Sequence, residues 1–114
     1  LVNSDIVSIH LPYDNSTKNL LSKEKLYLMK NNSFLINTAR GGIVNETALK
    51  KLLISNSIRG AAFDVFQSEP PTDFELLNLP NFFGTPHIGG SSVEAVLAMG
   101  RSAIKGLKIN KLIL

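Results

Sequence analysis

The sequence predicts an α/β protein in which the strands of a parallel sheet alternate with crossover helices. Short apolar segments alternate with segments whose apolar residues recur every three or four positions. Gly, Pro, Asn, Asp and Ser, the residues typical of turns, separate these segments. The resulting order is strand, helix, strand, helix, strand, short helical turn, strand, helix, which is typical of a parallel sheet.

Four strands are predicted, each of which ends at a turn. They cover residues 5–12, 33–37, 58–65 and 82–85. The first is interpreted as a buried strand that Pro12 ends, because proline cannot donate to a neighbouring strand. The third contains small residues at 60–62, which permit a helix to pack closely over it.

The predicted helices cover residues 23–30, 46–55, 75–78 and 92–107. Asn45 is a good N-cap for the second helix, and Ser91 or Ser92 can cap the last one. Apolar residues at helical spacing define the core side of both helices. They are Ala48, Leu49, Leu52 and Leu53 in the second helix, and Ala95, Val96, Met99, Ala103 and Ile104 in the last.

The composition suits one globular domain with a core, since 44% of the 114 residues are hydrophobic. The net charge of +3 is compatible with a nucleic-acid partner. However, the lysines are spread along the chain without an arginine cluster or interleaved aromatic residues. We therefore expect no nucleic-acid partner. Cysteine is absent, which fits a cytoplasmic protein without disulfides. No apolar run approaches the roughly 20 residues that span a bilayer, so we expect no membrane partner.

Polar residues follow several of the predicted strands. In a parallel sheet these positions share the carboxyl edge, where open α/β sheets bind ligands. They are occupied by Pro12, Thr38, Ala39, Arg40, Asp64, Glu69 and His87. An imidazole titrates near neutral pH and is suited to proton transfer, while a guanidinium binds a carboxylate or phosphate through two hydrogen bonds. This set of residue types predicts a catalytic site at the edge.

Each of these residues also has a simpler interpretation. Arg40 could be a surface arginine, Asp64 a local cap and Glu69 an ordinary loop acid. His10 is interpreted as a structural residue within its strand, and it has no partners at ligand spacing, so no metal site is predicted. The segment 84–91 has the outline of a phosphate loop, but Gly90 stands where the lysine belongs. The G-x-G-x-x-G fingerprint of dinucleotide binding does not occur in the chain.

Four segments resemble motifs of the NAD-dependent D-isomer-specific 2-hydroxyacid dehydrogenases, the family that includes phosphoglycerate, glycerate and D-lactate dehydrogenases. The segments are 4–12 (SDIVSIHLP), 35–44 (LINTARGGIV), 62–71 (AFDVFQSEPP) and 85–90 (TPHIGG), in the family's order. The resemblance extends from Ser4 to about Leu107. It implies a Rossmann-like sheet that is incomplete, namely the second half of a dinucleotide-binding domain.

The resemblance implies catalytic roles for Arg40, Glu69 and His87. Arg40 would bind the substrate carboxylate, His87 would be the general acid/base, and Glu69 would hydrogen-bond the imidazole ring. NAD is the implied cofactor, with NADP left open, and the implied substrate is a small 2-hydroxy or 2-oxo acid. The implied cofactor-binding residues are Leu11, Pro12, Thr38, Ala39, Arg40, Asp64, His87, Gly89 and Gly90.

Members of this family also carry a substrate domain and the first half of the dinucleotide-binding domain. We therefore interpret residues 1–107 as the C-terminal half of the NAD-binding domain, and residues 108–114 as a tail leading toward the substrate domain. Alone, this fragment is expected to be inactive, and the full-length protein is expected to be a homodimer. The alternative is a non-enzymatic NAD-binding relative on the same fold, such as a corepressor. Formate or phosphite oxidation is less favoured, since formate enzymes typically have glutamine in place of Glu69.

Overall fold

The computed structural model describes residues 1–109 as one parallel sheet with helices between its strands. The strands are β1 (Ile6–Ile9), β2 (Phe34–Asn37), β3 (Gly60–Phe63) and β4 (Phe82–Gly84). The helices are α1 (Lys23–Leu26), α2 (Glu46–Ile54), α3 (Phe74–Leu77) and α4 (Val93–Ile109). The strand order is β1-β2-β3-β4, and every neighbouring pair is parallel. The predicted α/β fold class is thus confirmed.

One face of the sheet carries the core of the protein. Strand register places Leu35 beside Ala61 and Ala61 beside Phe82, and all three are buried. The predicted apolar side of α2 is confirmed, because Ala48, Leu49, Leu52 and Leu53 are all buried. Asn45 caps α2 as predicted, since its side chain accepts a hydrogen bond of 2.9 Å from the Ala48 N–H.

The opposite face of the sheet is exposed. Ile6 is 61% exposed, Phe34 39% and Phe83 67%. The prediction that residues 5–12 form a buried strand is therefore wrong, since β1 has four residues and only Ile9 is buried. The reason is that β1 is an edge strand, and no element of residues 1–109 covers this second face.

The predicted core side of the last helix is also wrong. Ala95 is only partly buried, while Val96, Met99, Ala103 and Ile104 are all exposed. Val96, Met99 and Ile104 are large apolar residues, but no element of residues 1–109 covers them. Ser92 caps the helix as predicted, because its Oγ accepts a hydrogen bond of 3.1 Å from the Ala95 N–H. The helix continues to Ile109, and residues 110–114 of the predicted tail lie outside the described residues.

Candidate active site

All four strands end at the same edge of the sheet, because every strand pair is parallel. Four connections therefore meet at this carboxyl edge. They begin after Ile9, Asn37, Phe63 and Gly84. Each connection carries at least one residue that the sequence assigned to the site.

Asn37, the last residue of β2, fixes the turn that carries Arg40. Its side chain is 1% exposed. Its Oδ1 accepts from the Ala39 N–H at 3.1 Å, and its Nδ2 donates to the Arg40 carbonyl at 3.0 Å. A buried amide that satisfies both backbone groups holds the turn in one shape. The Arg40 side chain itself is exposed, and its Nη1 donates to the Ala39 carbonyl at 2.7 Å.

Asp64 anchors the turn that carries His87. Its Oδ2 accepts from the Gly89 N–H at 2.9 Å, and its Oδ1 accepts from the Ile88 N–H at 2.9 Å and from the Thr85 hydroxyl. The side chain is buried, with 7% of its surface exposed. The bond from Thr85, helped by the two N–H groups, holds the pKa of Asp64 below its ordinary value. Both oxygens of this carboxylate are therefore engaged within the protein.

His87 has a backbone conformation that L-residues rarely adopt. Its φ angle is +56°, in the left-handed region, and its N–H donates to the Thr85 carbonyl at 3.0 Å. Such conformations persist only where the surroundings impose them, and they are frequent at functional sites. Here the surroundings include the N–H groups of Ile88 and Gly89, directly after the residue, both of which Asp64 binds.

The His87 ring is bound by Glu69. Nδ1 of His87 lies 2.7 Å from Oε2 of Glu69, whose Oε1 accepts from the Phe66 N–H at 3.0 Å. The bond to His87, followed by the bond to Phe66, lowers the pKa of Glu69. At neutral pH Glu69 is then ionised and can only accept, so Nδ1 must carry the hydrogen of this bond. The other ring nitrogen, Nε2, is the atom that remains available to exchange a proton.

Two adjoining clefts contain all the residues assigned to cofactor binding. The first is lined by Leu11, Pro12, Thr38, Ala39 and Arg40, together with His10 and Tyr13. The second is lined by Thr38, Arg40, Asp64, His87, Gly89 and Gly90, together with Ser91 and Met99. Thr38 and Arg40 line both clefts, so the two clefts adjoin at these residues. Glu69 lines neither cleft and reaches the second one through His87.

The structure places His10 differently from the sequence interpretation. The sequence pattern predicts a structural residue within the first strand, but β1 ends at Ile9 and His10 is exposed. Its Nε2 lies 2.8 Å from the Ser8 Oγ, and its side chain lines the first cleft. Within residues 1–109, no group of three or more His, Asp or Glu side chains is arranged to hold a metal ion.

The sequence interpretation assigned no site role to several residues that the structure places at the site. Asn37 and Thr85 bind the two turns, Met99 lines the second cleft, and Glu46 contacts the loop of Glu69. The only available signal was at Asn37, which is a polar residue at the inward-facing end of an apolar strand. The other contacts join segments that are distant in sequence, so no local pattern indicates them.

A parallel α/β sheet with an imidazole–carboxylate pair and an arginine at its carboxyl edge indicates a Rossmann-like, nucleotide-dependent class of protein. Residues 1–89 match the family described as D-isomer specific 2-hydroxyacid dehydrogenase, NAD binding domain. The match covers most of the chain, and the chain therefore belongs to this family. No helix within residues 1–109 combines the length and the apolar character needed to cross a membrane.

Individual relatives agree with this assignment. The chain is 42% identical over 105 residues to D-3-phosphoglycerate dehydrogenase from Methanocaldococcus jannaschii, covering 92% of this chain and 20% of that protein. It is 46% identical over 99 residues to glycerate dehydrogenase from Methylorubrum extorquens, covering 84% of this chain and 32% of that protein. The crystal structure of D-lactate dehydrogenase with NAD+ from Lactobacillus jensenii superposes with a TM-score of 0.86 at 31% identity, covering 92% of this chain and 36% of that one. The chain thus spans about a fifth to a third of the length of these relatives.

Proposed function

We propose that this chain is part of an oxidoreductase that transfers a hydride between a D-2-hydroxy acid and a nicotinamide nucleotide. The observation that carries the proposal is the 2.7 Å contact between His87 and Glu69 at a cleft that Arg40 also lines. A substrate with an α-hydroxyl beside a carboxylate requires one group that transfers the hydroxyl proton and another that binds the carboxylate. We propose that His87, with Glu69, transfers the proton and that Arg40 binds the carboxylate.

Arg40 is proposed to bind the substrate carboxylate. Its side chain is exposed at the junction of the two clefts, and one of its nitrogens donates to the Ala39 carbonyl. A guanidinium has five N–H donors, which leaves enough of them for a bidentate pair with a carboxylate. Such a pair fixes the orientation of the substrate as well as its position.

His87 is proposed to move the substrate proton through Nε2. In the oxidation direction the neutral Nε2 accepts the hydroxyl proton, and in the reduction direction the protonated ring returns it. Glu69 holds Nδ1 and stabilises the imidazolium that forms when Nε2 takes the proton. When bound, the nicotinamide nucleotide supplies or accepts the hydride.

NAD is the proposed cofactor, as the family description indicates. Two observations support a nucleotide at this site. The two clefts adjoin at Thr38 and Arg40, and between them they are lined by all nine residues proposed to contact the cofactor. A Cβ placed on Gly90 would meet no heavy atom within 4 Å, so there is open space at this position of the cleft that His87 also lines. The proposed contacts are those of Leu11, Pro12, Thr38, Ala39, Arg40, Asp64, His87, Gly89 and Gly90.

We further propose that residues 1–107 form the C-terminal half of a larger NAD-binding domain within a cytoplasmic, homodimeric protein. The exposed second face of the sheet and the exposed apolar side of α4 support a larger assembly, because apolar surfaces of this kind are normally covered. The 114-residue chain alone is expected to show negligible turnover. It is also expected to bind NAD weakly, because no glycine-rich phosphate loop occurs in its sequence. Isothermal calorimetry giving micromolar affinity for NAD would contradict that expectation.

The proposed activity is tested with the protein expressed from the complete reading frame that contains this chain. NADH oxidation is followed with glyoxylate, hydroxypyruvate and pyruvate, and the chirality of each product is determined. We expect turnover of at least one 2-oxo acid to the D-isomer where the product is chiral. Binding of NADH without turnover of any 2-oxo acid would overturn the proposal and favour a non-enzymatic relative.

A further inference from the structure

Glu46, the first residue of α2, is bound to the loop that carries Glu69. Its Oε1 accepts a hydrogen bond of 2.7 Å from the Gln67 N–H, across 21 residues of sequence. The preceding N–H, that of Phe66, donates to Glu69 itself at 3.0 Å. Two consecutive N–H groups of this loop are therefore bound by two different carboxylates, and both bonds restrict the backbone just before Glu69.

The role of Glu46 is not that of a helix cap. Asn45 already caps α2 through its bond to the Ala48 N–H. Glu46 is half-buried beside Gln67, Asp73 and Leu76. Burial, and then the negative charges of Asp73 and Glu69, raise its pKa, while the Gln67 N–H opposes that rise. Burying an ionised Glu46 carboxylate near two other carboxylates costs free energy, and the hydrogen bond from the Gln67 N–H offsets part of that cost.

A second contact joins the same two segments. Gly41 follows Arg40, and a Cβ on Gly41 would fall on the Phe66 carbonyl group, far inside van der Waals contact. The backbone of the Arg40 turn thus lies directly against the backbone of the Glu69 loop. Together, Gly41 and Glu46 hold the turn of the proposed carboxylate-binding arginine against the loop of the carboxylate that binds His87.

We propose that Glu46 is a positioning residue: by binding the Gln67 N–H it fixes the Phe66–Glu69 loop and so directs the Glu69 carboxylate toward Nδ1 of His87. This inference rests on the proposed function. Glu46 lines neither of the two clefts of the site, so it acts on the chemistry only through Glu69. A shift of the loop would lengthen the bond between Glu69 and His87.

The test uses the protein from the complete reading frame with Glu46→Gln, Glu46→Asp and Glu46→Ala. Glutamine keeps an acceptor oxygen at the same reach but loses the charge, whereas aspartate keeps the charge and loses the reach. Because a misplacement of about 1 Å can cost about 100-fold in rate, we expect kcat for 2-oxo acid reduction to fall at least tenfold in Glu46→Asp and Glu46→Ala. We expect Glu46→Gln to stay within threefold of the wild type, and KM for NADH to stay within twofold in all three.

Glu75→Gln is the matched control, because Glu75 is a nearby carboxylate that binds Lys50 and not the loop. We expect its kcat to equal that of the wild type. A double-mutant cycle then tests whether the effect acts through Glu69. In a protein that already carries Glu69→Gln, adding Glu46→Asp should lower kcat by less than a further factor of about two. Equal losses of kcat in both backgrounds would overturn the inference, as would an unchanged kcat in Glu46→Asp.

Failure of the inference and failure of the proposed function give different results. A wild-type protein that reduces no 2-oxo acid would refute the proposed function, and the positioning role with it. A wild-type protein that is active, with Glu46→Asp equally active and folded, would refute the positioning role alone. Circular dichroism shows whether Glu46→Ala is folded. If it is not, the difference in kcat between Glu46→Gln and Glu46→Asp still tests the positioning role.

Discussion

The covered face of the sheet and its carboxyl edge are held together by different interactions. On the covered face the contacts are apolar, and the rings of Phe63 and Phe82 lie 5.5 Å apart between their centroids. At the carboxyl edge the contacts are polar and directional, as in the three hydrogen bonds that Asp64 accepts. Apolar packing tolerates small shifts, whereas a hydrogen bond weakens steeply with a change of geometry.

This difference implies that substitutions can be chosen that lower mainly the unfolding free energy or mainly the proposed activity. Changes on the covered face should appear first as a loss of unfolding free energy. Changes at the carboxyl edge should appear first as a loss of turnover in the complete protein, because they displace Arg40, Glu69 or His87, the residues that we propose are catalytic. The segment 64–69 links the two regions, since Phe66 is buried in the core while Asp64 and Glu69 bind the turn and ring of His87.

The largest effect on stability is expected from Phe63→Ala. Phe63 is 2% exposed and contacts the rings of both Phe66 and Phe82, so its truncation leaves a cavity. We expect a loss of about 3–5 kcal/mol in unfolding free energy, measured by urea denaturation of the chain. Phe83→Ala on the exposed face is the control, with an expected loss below about 0.5 kcal/mol. Similar losses for the two variants would show that the faces do not differ as described.

A smaller loss of stability with a larger loss of activity is expected from Asp64→Asn. The amide cannot accept at both positions, so at least one of the Thr85, Ile88 and Gly89 donors loses its partner. We expect a loss of about 1–3 kcal/mol in unfolding free energy, together with at least a tenfold fall in kcat in the complete protein. Asp5→Asn, at an exposed surface pair with Lys30, is the matched control and should change neither. Full activity in Asp64→Asn would contradict the anchoring of the His87 turn.

Gly41→Ala is expected to separate the Arg40 turn from the Glu69 loop. The added methyl group would overlap the Phe66 carbonyl, so one backbone segment must move. We expect a loss of about 1–3 kcal/mol in unfolding free energy. Gly90→Ala is the comparison, because a Cβ there meets open space, and its melting temperature should equal that of the wild type. Equal melting temperatures for Gly41→Ala and the wild type would argue against the close contact of the two segments.

The smallest effect is expected from the pH dependence of the Glu69–His87 pair. The pKa of Glu69 is lowered by its bond to His87, so this contribution to stability is complete above its ordinary value of 4.5 and is lost as the pH falls through the lowered pKa. The two side chains are 36% and 46% exposed, so solvent screens the pair and the effect is small. The melting temperature of the wild type should exceed that of Glu69→Gln at pH 6, and the difference should shrink toward pH 3. A difference that grows on acidification would have the wrong sign.

The sequence was sufficient for the order of elements, the apolar side of α2 and the placement of the candidate site residues along one edge. These follow from local periodicity, from caps such as Asn45 and from the geometry of parallel sheets. It was insufficient for β1 and α4, because a pattern shows which side of an element is apolar but not whether anything covers it. It also could not show the contacts of Gly41 with Phe66 or of Glu46 with Gln67, since these depend on the distance between loops.

The central claim is that His87 moves the proton of a 2-hydroxy or 2-oxo acid. It is tested most directly by comparing NADH-dependent reduction of hydroxypyruvate by the complete wild-type protein and by its His87→Gln variant under saturating substrate. General acid–base catalysis contributes about 10²–10⁴-fold, so we expect kcat at saturating NADH to fall by about that factor. An unchanged kcat in a folded His87→Gln protein would contradict the claim.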